Sequence, residues 1–369
     1  MIVEYLFYIF LVATVVQLLY HLFIFIRIWF YKESEHVNYK PVSVIVSSKN
    51  QLDDLRSNLI YFLNQEYPEF EVIVINDASS DGTGDYLEEL QKKYDYLKVV
   101  TKTIQENDRF NKGKKFGITL AIKSATHDNL LFSDADSYPS SNQWIKKMQT
   151  YFSSKNQIVL AHSRLEKRKG LLNRLLRYES MYEGLLSFSS ALCGFPLLAQ
   201  PRNLGYYRQL FFSINGFFSH LNLSRGEAML FVDEASNSRN TAVCLSAEPM
   251  TLSNKQKSYL EWVYDKRSYF HLAKRLRFSS LMILGMNFFS QLSFWMLIPV
   301  LLIYQINTQF VLLAFSLRFC MQFIVYCKMC KFTNEYSLLW FQPFYEISLM
   351  LINFILLLST FIKKVHDWD

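Results

Sequence analysis

The chain opens with an unbroken apolar run over residues 5–26, which carries no charge and few polar positions. A run of about 20 such residues is long enough for a helix to cross a bilayer. From Pro41 the pattern changes to short oily runs separated by amphipathic segments. "PVSVIVSS" (41–48), "FEVIVIN" (70–76), "LKVVT" (97–101) and "NLLF" (129–132) read as strands. Residues 53–64, with Leu55, Leu59, Ile60, Phe62 and Leu63 along one side, read as a helix, as do residues 83–94 and a segment running from the Lys112–Lys115 loop to about Lys123. Strands that recur at about thirty residues with helices between them predict βαβ units and a parallel sheet.

Beyond Ser140 the pattern is less regular. Residues 168–188 read as a helix, basic at its start and apolar along one side. Residues 260–278 interleave basic side chains with Trp262, Tyr264, Tyr269 and Phe270, the pattern of an amphipathic helix lying on a membrane surface. Three further apolar runs follow at 281–304, 310–326 and 337–361. The middle one carries Arg318 and Gln322, and the last carries Gln342 and Glu346.

Composition supports this division. Half the residues (51%) are hydrophobic, yet 19% are charged, which fits a water-exposed domain joined to membrane segments. The expected organisation is an N-terminal transmembrane helix over 1–31, a domain over 32–277 ending in an interfacial helix, and a membrane region of two to three helices over 278–369. Arg27 and Lys32 follow the first run, only Glu4 precedes it, and Trp29, Phe30 and Tyr31 supply interfacial aromatics. Positive charge prefers the cytoplasm, so the N-terminus is expected outside and the domain inside. Four spans would place Lys363 and Lys364 outside, against that rule, so one of the last two runs is expected to lie in the interface or re-enter. No small-residue cleavage site follows the first run, so a signal peptide is not expected.

The net charge of +7 points to anionic headgroups or phosphate-bearing substrates. No nucleic-acid-binding motif is present. Cys327 and Cys330 form a lone CxxC with no second ligand pair, which argues against zinc. The apolar runs are few and mostly lack paired charges, which argues against a transporter.

In parallel sheets ligands bind at the carboxyl ends of the strands. Asp77 and Asp81 follow the second strand, Asp134 and Asp136 the fourth, and Lys112 and Lys114 lie after the third. Acids and bases from distant sequence therefore converge on one edge. Two aspartates one residue apart on a strand-end turn repel each other unless a cation intervenes. Their hard oxygens suit Mg2+ or Mn2+, with water and phosphate oxygens completing the shell. The same stretch also reads as a helix-capping turn through Asp136, Ser137 and Ser140. Its neighbours decide between the two.

Taken together, "PVSVIVSSKN", "FEVIVINDASSDGT", "NKGKK" and "LLFSDADSYP" resemble, in order and spacing, the GT-A glycosyltransferases of the large family that includes cellulose, chitin and hyaluronan synthases. The resemblance covers residues 41–277 and implies an α/β, Rossmann-like domain that binds a nucleotide sugar. It implies that Asp77 contacts the base or ribose, with Asp81 supporting its loop, that Ser48 and Asn50 lie beside the nucleotide, and that Lys114 sits near the nucleotide sugar. Asp134 and Asp136 match the DXD motif, Asp136 being the expected direct metal ligand.

"QPRNLGYYRQLFFSINGF" resembles the acceptor segment, with Arg202 and Asn203 at its head, although it also reads as a turn entering a helix. The family's general base sits in an acidic cluster. Here that segment is "SRGEAMLFVDEA", which makes Glu227 the first candidate and Asp233 the second. "YDKRSYF" matches the QxxRW motif of processive synthases only loosely, but Arg267 remains a candidate partner for the diphosphate. The implied activity is metal-dependent inverting transfer of a hexosyl or N-acetylhexosaminyl group from a UDP- or GDP-sugar to a lipid-linked or glycan hydroxyl. The competing expectation, drawn from the reduced acidic cluster and the absent QxxRW, is a non-catalytic nucleotide-sugar-binding or scaffold subunit.

Overall fold

The computed structural model describes residues 2–34, 39–102 and 113–362, and Lys112, Lys363 and Lys364 lie outside them. Helix α1 (Ile2–Leu19) continues through a π-helical turn at Tyr20–Ile24 and a 3-10 stretch at Phe25–Phe30. Four parallel strands follow, β1 (Val42–Ser48), β2 (Phe70–Asp77), β3 (Leu97–Lys102) and β4 (Asn129–Asp134), interleaved with α2 (Leu52–Leu63), α3 (Thr83–Gln91) and α4 (Lys114–Ser124). They pair in the order β3-β2-β1-β4. Every residue of β1 is buried, because the two faces serve two cores. Val44 and Val46 pack with Leu55, Leu59 and Phe62 of α2. Ile45 packs with Ile73, Ile75 and the α4 residues Ile118, Ala121 and Ile122.

The register fixes the acids. Ser47 of β1 stands opposite Asp134, and the Ala135 N–H donates to the Ser47 carbonyl at 3.0 Å. Strand β4 therefore runs two residues past Phe132, so Asp134 is its last residue and Asp136 lies in the turn leading to β5 (Ser137–Pro139).

The less regular half also forms sheet. After α5 (Trp144–Gln149) come β6 (Ile158–Ala161), β7 (Ser163–Leu165), α6 (Leu171–Leu192), β8 (Leu204–Tyr207), α7 (Arg208–Ser213), α8 (Met229–Ala235), β9 (Thr241–Cys244) and β10 (Thr251–Ser253). Strand β8 runs antiparallel between β4 and β6, giving seven strands in the order β3-β2-β1-β4-β8-β6-β9; β5, β10 and β7 form a second small sheet. Gly205 makes the β8 position possible, since a Cβ there would stand 2.8 Å from Leu131 Cδ2 and 2.9 Å from Phe152 Cζ. The segment read as a turn entering a helix is thus a strand first. The predicted helix at 168–188 is α6, a core helix that buries Tyr178, Met181, Leu185 and Phe188.

Helix α9 (Tyr259–Ala273) starts at a capping box in which the Ser258 hydroxyl accepts the Glu261 N–H and the Glu261 carboxylate accepts the Ser258 N–H. It is not wholly superficial. Trp262 is buried and donates through Nε1 to Glu179 Oε2 of α6 at 2.6 Å, while Tyr259, Leu260 and Tyr264 stay exposed. Helices α10 (Phe278–Ile303), α11 (Thr308–Thr333) and α12 (Gln342–Ile362) complete the chain.

Among the described residues four stretches are long and apolar enough to cross a membrane: Glu4–Phe30, Phe278–Ile303, Thr308–Thr333 and Gln342–Thr360. Both of the last two runs are full helices. The expected scarcity of paired charges is corrected by Arg318 and Glu346, which form an ion pair between α11 and α12 that is almost fully buried. Arg318 also bonds Gln322 Oε1 at 2.8 Å and Gln17 Oε1 of α1 at 3.1 Å. Arg318, Gln322 and Glu346, which interrupt the apolar pattern, bond one another, whereas the buried Gln342 amide has no hydrogen-bond partner among the described residues. The α11–α12 connection sits against the domain: Arg164 donates to the Thr333 carbonyl at 2.9 Å, Lys167 to that of Asn334 at 2.5 Å, and Arg177 Nε to Glu335 Oε1 at 3.0 Å. Helix α10 thus leaves the domain, α11 returns to it and α12 leaves again.

Candidate active site

At the carboxyl edge of the sheet the charges form an alternating chain. Lys114, the first residue of α4, has its Nζ 3.1 Å from Glu227 Oε1 and is also bonded to Asp134 Oδ1. The Ser47 hydroxyl donates to the same Asp134 oxygen at 2.7 Å. Arg202 Nε stands 3.8 Å from Asp134 Oδ2 and donates at 2.8 Å to Asp136 Oδ1, while its Nη2 donates to Oδ2, also at 2.8 Å. Lys255 Nζ is 3.8 Å beyond. The order is therefore Glu227, Lys114, Asp134, Arg202, Asp136, Lys255, acids and cations in turn.

Burial gives these contacts weight. It would push the Lys114 ammonium down, but Asp134 and Glu227 outweigh it and hold the lysine above its ordinary range. Burial would likewise raise Asp136. The Arg202 guanidinium overcomes it and holds the carboxyl well below the usual carboxylate range. Ser47, Lys114, Asp134 and Glu227 line one cleft, walled by Ile45, Ile118, Phe132, Tyr206 and Phe217.

The nucleotide-side candidates cluster at the ends of β1 and β2. Asp77 is buried and pairs with Lys102 Nζ at 2.7 Å. Asp81 supports its loop directly, accepting from the Leu52 N–H at 2.9 Å and from the Thr83 hydroxyl at 2.6 Å, and so ties the starts of α2 and α3 together. Asn50, at positive φ, receives the Ser80 N–H at 2.8 Å. Among the described residues the buried Ser48 hydroxyl has no hydrogen-bond partner, and it is a polar atom that a ligand can satisfy.

Three expected roles change. Asn203 does not face an acceptor: it is buried, its Nδ2 donates to the His162 carbonyl at 2.8 Å and to the Pro249 carbonyl at 2.6 Å, and its Oδ1 accepts from Trp144 Nε1 at 3.1 Å. With all three groups engaged, it anchors the loop that carries Arg202. Arg202 lies on Asp136 rather than in open acceptor space. Asp233 is not placed as a base. It is 3% exposed, with Oδ2 taking the Arg277 N–H at 2.8 Å and Oδ1 the Ser280 hydroxyl, so it caps the start of α10. Glu227 remains as the acid of this segment that lines the cleft. Arg267 lies half-buried on α9, beside Lys266, which pairs with Glu179 of α6. Asp265, in the QxxRW-like stretch, is held by Arg225 and by Lys257 at 2.6 Å.

Sequence reading missed Ser47, Lys102 and Lys255. Ser47 and Lys102 carry a signal in retrospect, as polar residues closing oily strands. Lys255 gives none.

Asp134 and Asp136 supply oxygen donors only, and Arg202 stands beyond hydrogen-bond reach of Asp134 Oδ2. This donor set fits a hard divalent ion whose shell is completed by ligand oxygens and water. Among the described residues no three or more His, Cys, Asp or Glu are grouped to hold an ion by themselves.

The mixed α/β sheet with acids on its carboxyl edge defines a GT-A domain flanked by long apolar helices. Residues 43–212 match the family Glycosyl transferase family 2. The poly-beta-1,6-N-acetyl-D-glucosamine synthase of Staphylococcus epidermidis is 28% identical over 165 residues, 44% of this chain and 38% of that protein. The probable glycosyltransferase YdaM of Bacillus subtilis (strain 168) is 34% identical over 113 residues, 30% of this chain and 25% of that one. The matched segment thus spans well under half of these relatives. Among solved structures, the mannosyltransferase PcManGT from Pyrobaculum calidifontis, in complex with GDP-Man and Mn2+, shares the fold with a TM-score of 0.62. At 15% identity, the likeness covers 99% of this chain and 100% of that chain.

Proposed function

We propose that the chain is a membrane-embedded, inverting glycosyltransferase that moves a sugar from a UDP- or GDP-sugar to a hydroxyl of a lipid-linked or glycan acceptor. The observation that carries this reading is the sharing of Lys114 between Asp134, on the donor side, and Glu227. An acceptor hydroxyl is a weak nucleophile at neutral pH, and Glu227 would take its proton as its oxygen attacks the anomeric carbon. The new C–O bond forms as the bond to the diphosphate breaks, on the opposite face of the sugar. Lys114 holds the Glu227 carboxylate in place, and Ser48, Asn50 and Asp77 offer polar groups to the nucleoside. A divalent ion held by Asp134 and Asp136 would neutralise the departing diphosphate.

The four apolar stretches support a multi-pass membrane location. Arg27 and Lys32 follow the first stretch, and Lys328 and Lys331 lie near the domain end of α11, an arrangement that favours a cytoplasmic domain. The exposed Tyr259, Leu260 and Tyr264 on α9 would face headgroups. A second reading, a non-catalytic nucleotide-sugar-binding subunit, draws on the loss of Asp233 as a base. Purified full-length protein with Mn2+ and a panel of UDP- and GDP-sugars tests the choice. Release of nucleoside diphosphate that depends on an acceptor supports the enzyme, and metal-dependent binding with no turnover on any donor supports the binding subunit.

A further inference from the structure

Asp136 is almost completely buried, yet both of its oxygens are engaged by one side chain. Arg202 closes a two-pronged bond on it, at 2.8 Å for each prong, and the Ser137 hydroxyl adds a third contact at 3.1 Å. The guanidinium also faces Asp134 Oδ2 at 3.8 Å and keeps 24% of its side chain exposed, so it stands between the two acids with an open side. The main chain beneath it is fixed. The Arg202 carbonyl accepts from the Ser133 and Thr251 hydroxyls, each at 3.0 Å, and the next residue, Asn203, is locked by three bonds. Any movement of Arg202 is therefore a rotation of its side chain.

We propose that Arg202 is a resident counter-ion for the acid pair: it neutralises Asp136 while no donor is bound, and it moves onto the donor's phosphate oxygens when a divalent ion takes its place on the acids. This inference rests on the nucleotide-sugar reading above. A lone divalent ion arriving at Asp136 must displace a bidentate partner and leave a guanidinium beside a second positive charge. A nucleoside diphosphate removes that obstacle. Its oxygens accept the same fork of N–H donors that the carboxylate held. Metal and donor then bind well together and poorly apart, and the coupling is reciprocal. Arg202 is in these terms a positioning residue that sets the order of assembly.

Electron paramagnetic resonance of protein-bound Mn2+ tests this on the full chain in detergent, with and without UDP or GDP and with nucleotide-bound Mn2+ in buffer subtracted. The wild type is expected to bind Mn2+ at least about tenfold more tightly with the matching nucleotide than without it. Arg202→Gln is expected to bind Mn2+ without nucleotide at least about tenfold more tightly than the wild type. Arg202→Lys keeps the charge but loses the fork, and is expected to fall between. Should Arg202→Gln fail to fold, Arg202→Lys decides alone, because its nucleotide-free affinity must exceed that of the wild type. Wild-type Mn2+ affinity that ignores nucleotide, or variants that bind Mn2+ no better than the wild type, would overturn the counter-ion role alone. If no protein binds Mn2+ under any condition, the counter-ion role and the metal part of the proposed function fall together.

Discussion

Lys114 Nζ stands 3.1 Å from Glu227 Oε1 while the same ammonium bonds Asp134, the last residue of β4. One cation thus couples the acid at the strand end to an acid more than ninety residues later in the chain. The contact places Glu227 beside the acid pair without making it part of that pair. Glu227→Gln keeps the shape and a hydrogen-bond acceptor for Lys114 but removes the proton acceptor. Transfer is expected to fall by about 10²–10⁴-fold with donor affinity nearly unchanged, measured as nucleoside diphosphate release alongside nucleotide-sugar binding. Full transfer by this variant would place the base elsewhere.

Asp233 gives the contrasting expectation. Its carboxylate ties α8 to the first turn of α10 through the Arg277 N–H and the Ser280 hydroxyl. Asp233→Ala leaves those buried donors without partners, and stability is expected to drop by about 1–3 kcal/mol per orphaned group. Turnover per folded molecule should change little. A collapse of turnover at unchanged thermal stability would return Asp233 to the chemistry.

These two acids show what a sequence can and cannot display. Strands β1, β2 and β4 were legible because they are buried on both faces and mostly apolar, and the half-exposed β3 because it repeats their spacing. Asp134 and Asp136 were legible because strand ends in a parallel sheet point to one edge. Strands β6, β8 and β9 are four residues each, too short to establish a period, and Gly205 weakens the signal further. The roles of Arg202, Asn203 and Asp233 depend on partners more than forty residues away, Asp136, Trp144 and Ser280, so spacing alone could not assign them. Arg318 and Glu346 looked like blemishes in two apolar runs, because their pairing joins two separate helices.

Acid should weaken the folded state through two buried histidines outside the membrane helices. Burial, reinforced by Arg164, pushes His162 down to about 3, and burial, reinforced by Lys115, pushes His220 down to about 4. Both values lie below the unfolded value of about 6.5. Between the two limits the unfolded chain binds protons that the folded chain refuses, so stability falls as pH drops. The slope approaches about 1.4 kcal/mol per pH unit for each histidine. Above about pH 6.5 neither contributes. Asp136, held below the usual range, adds a further loss only at the acid end. Thermal midpoints should therefore decline below about pH 6.5, and His162→Gln should flatten the decline. A midpoint that stays level down to the carboxylate range contradicts this.

The ion pair between Arg318 and Glu346 yields the last expectation. Both side chains are nearly inaccessible, and their remaining bonds engage Gln322 on α11 itself and reach two neighbouring helices, through Gln17 on α1 and Gln291 on α10. Arg318 also lies over the rings of Phe294, at 4.7 Å, and Trp295, at 5.5 Å. Removing either partner alone strands a charge where water and counter-ions cannot reach it, at a cost of about 3–5 kcal/mol. Removing both leaves amides that can still bond one another. Arg318→Leu and Glu346→Leu should each destabilise strongly, and the double variant should cost clearly less than their sum. Because Arg318 also loses its ring contacts, its single replacement should be the costlier of the two. Denaturation of the four proteins in lipid nanodiscs measures the coupling, and strictly additive losses would mean that the two charges hold the helices independently.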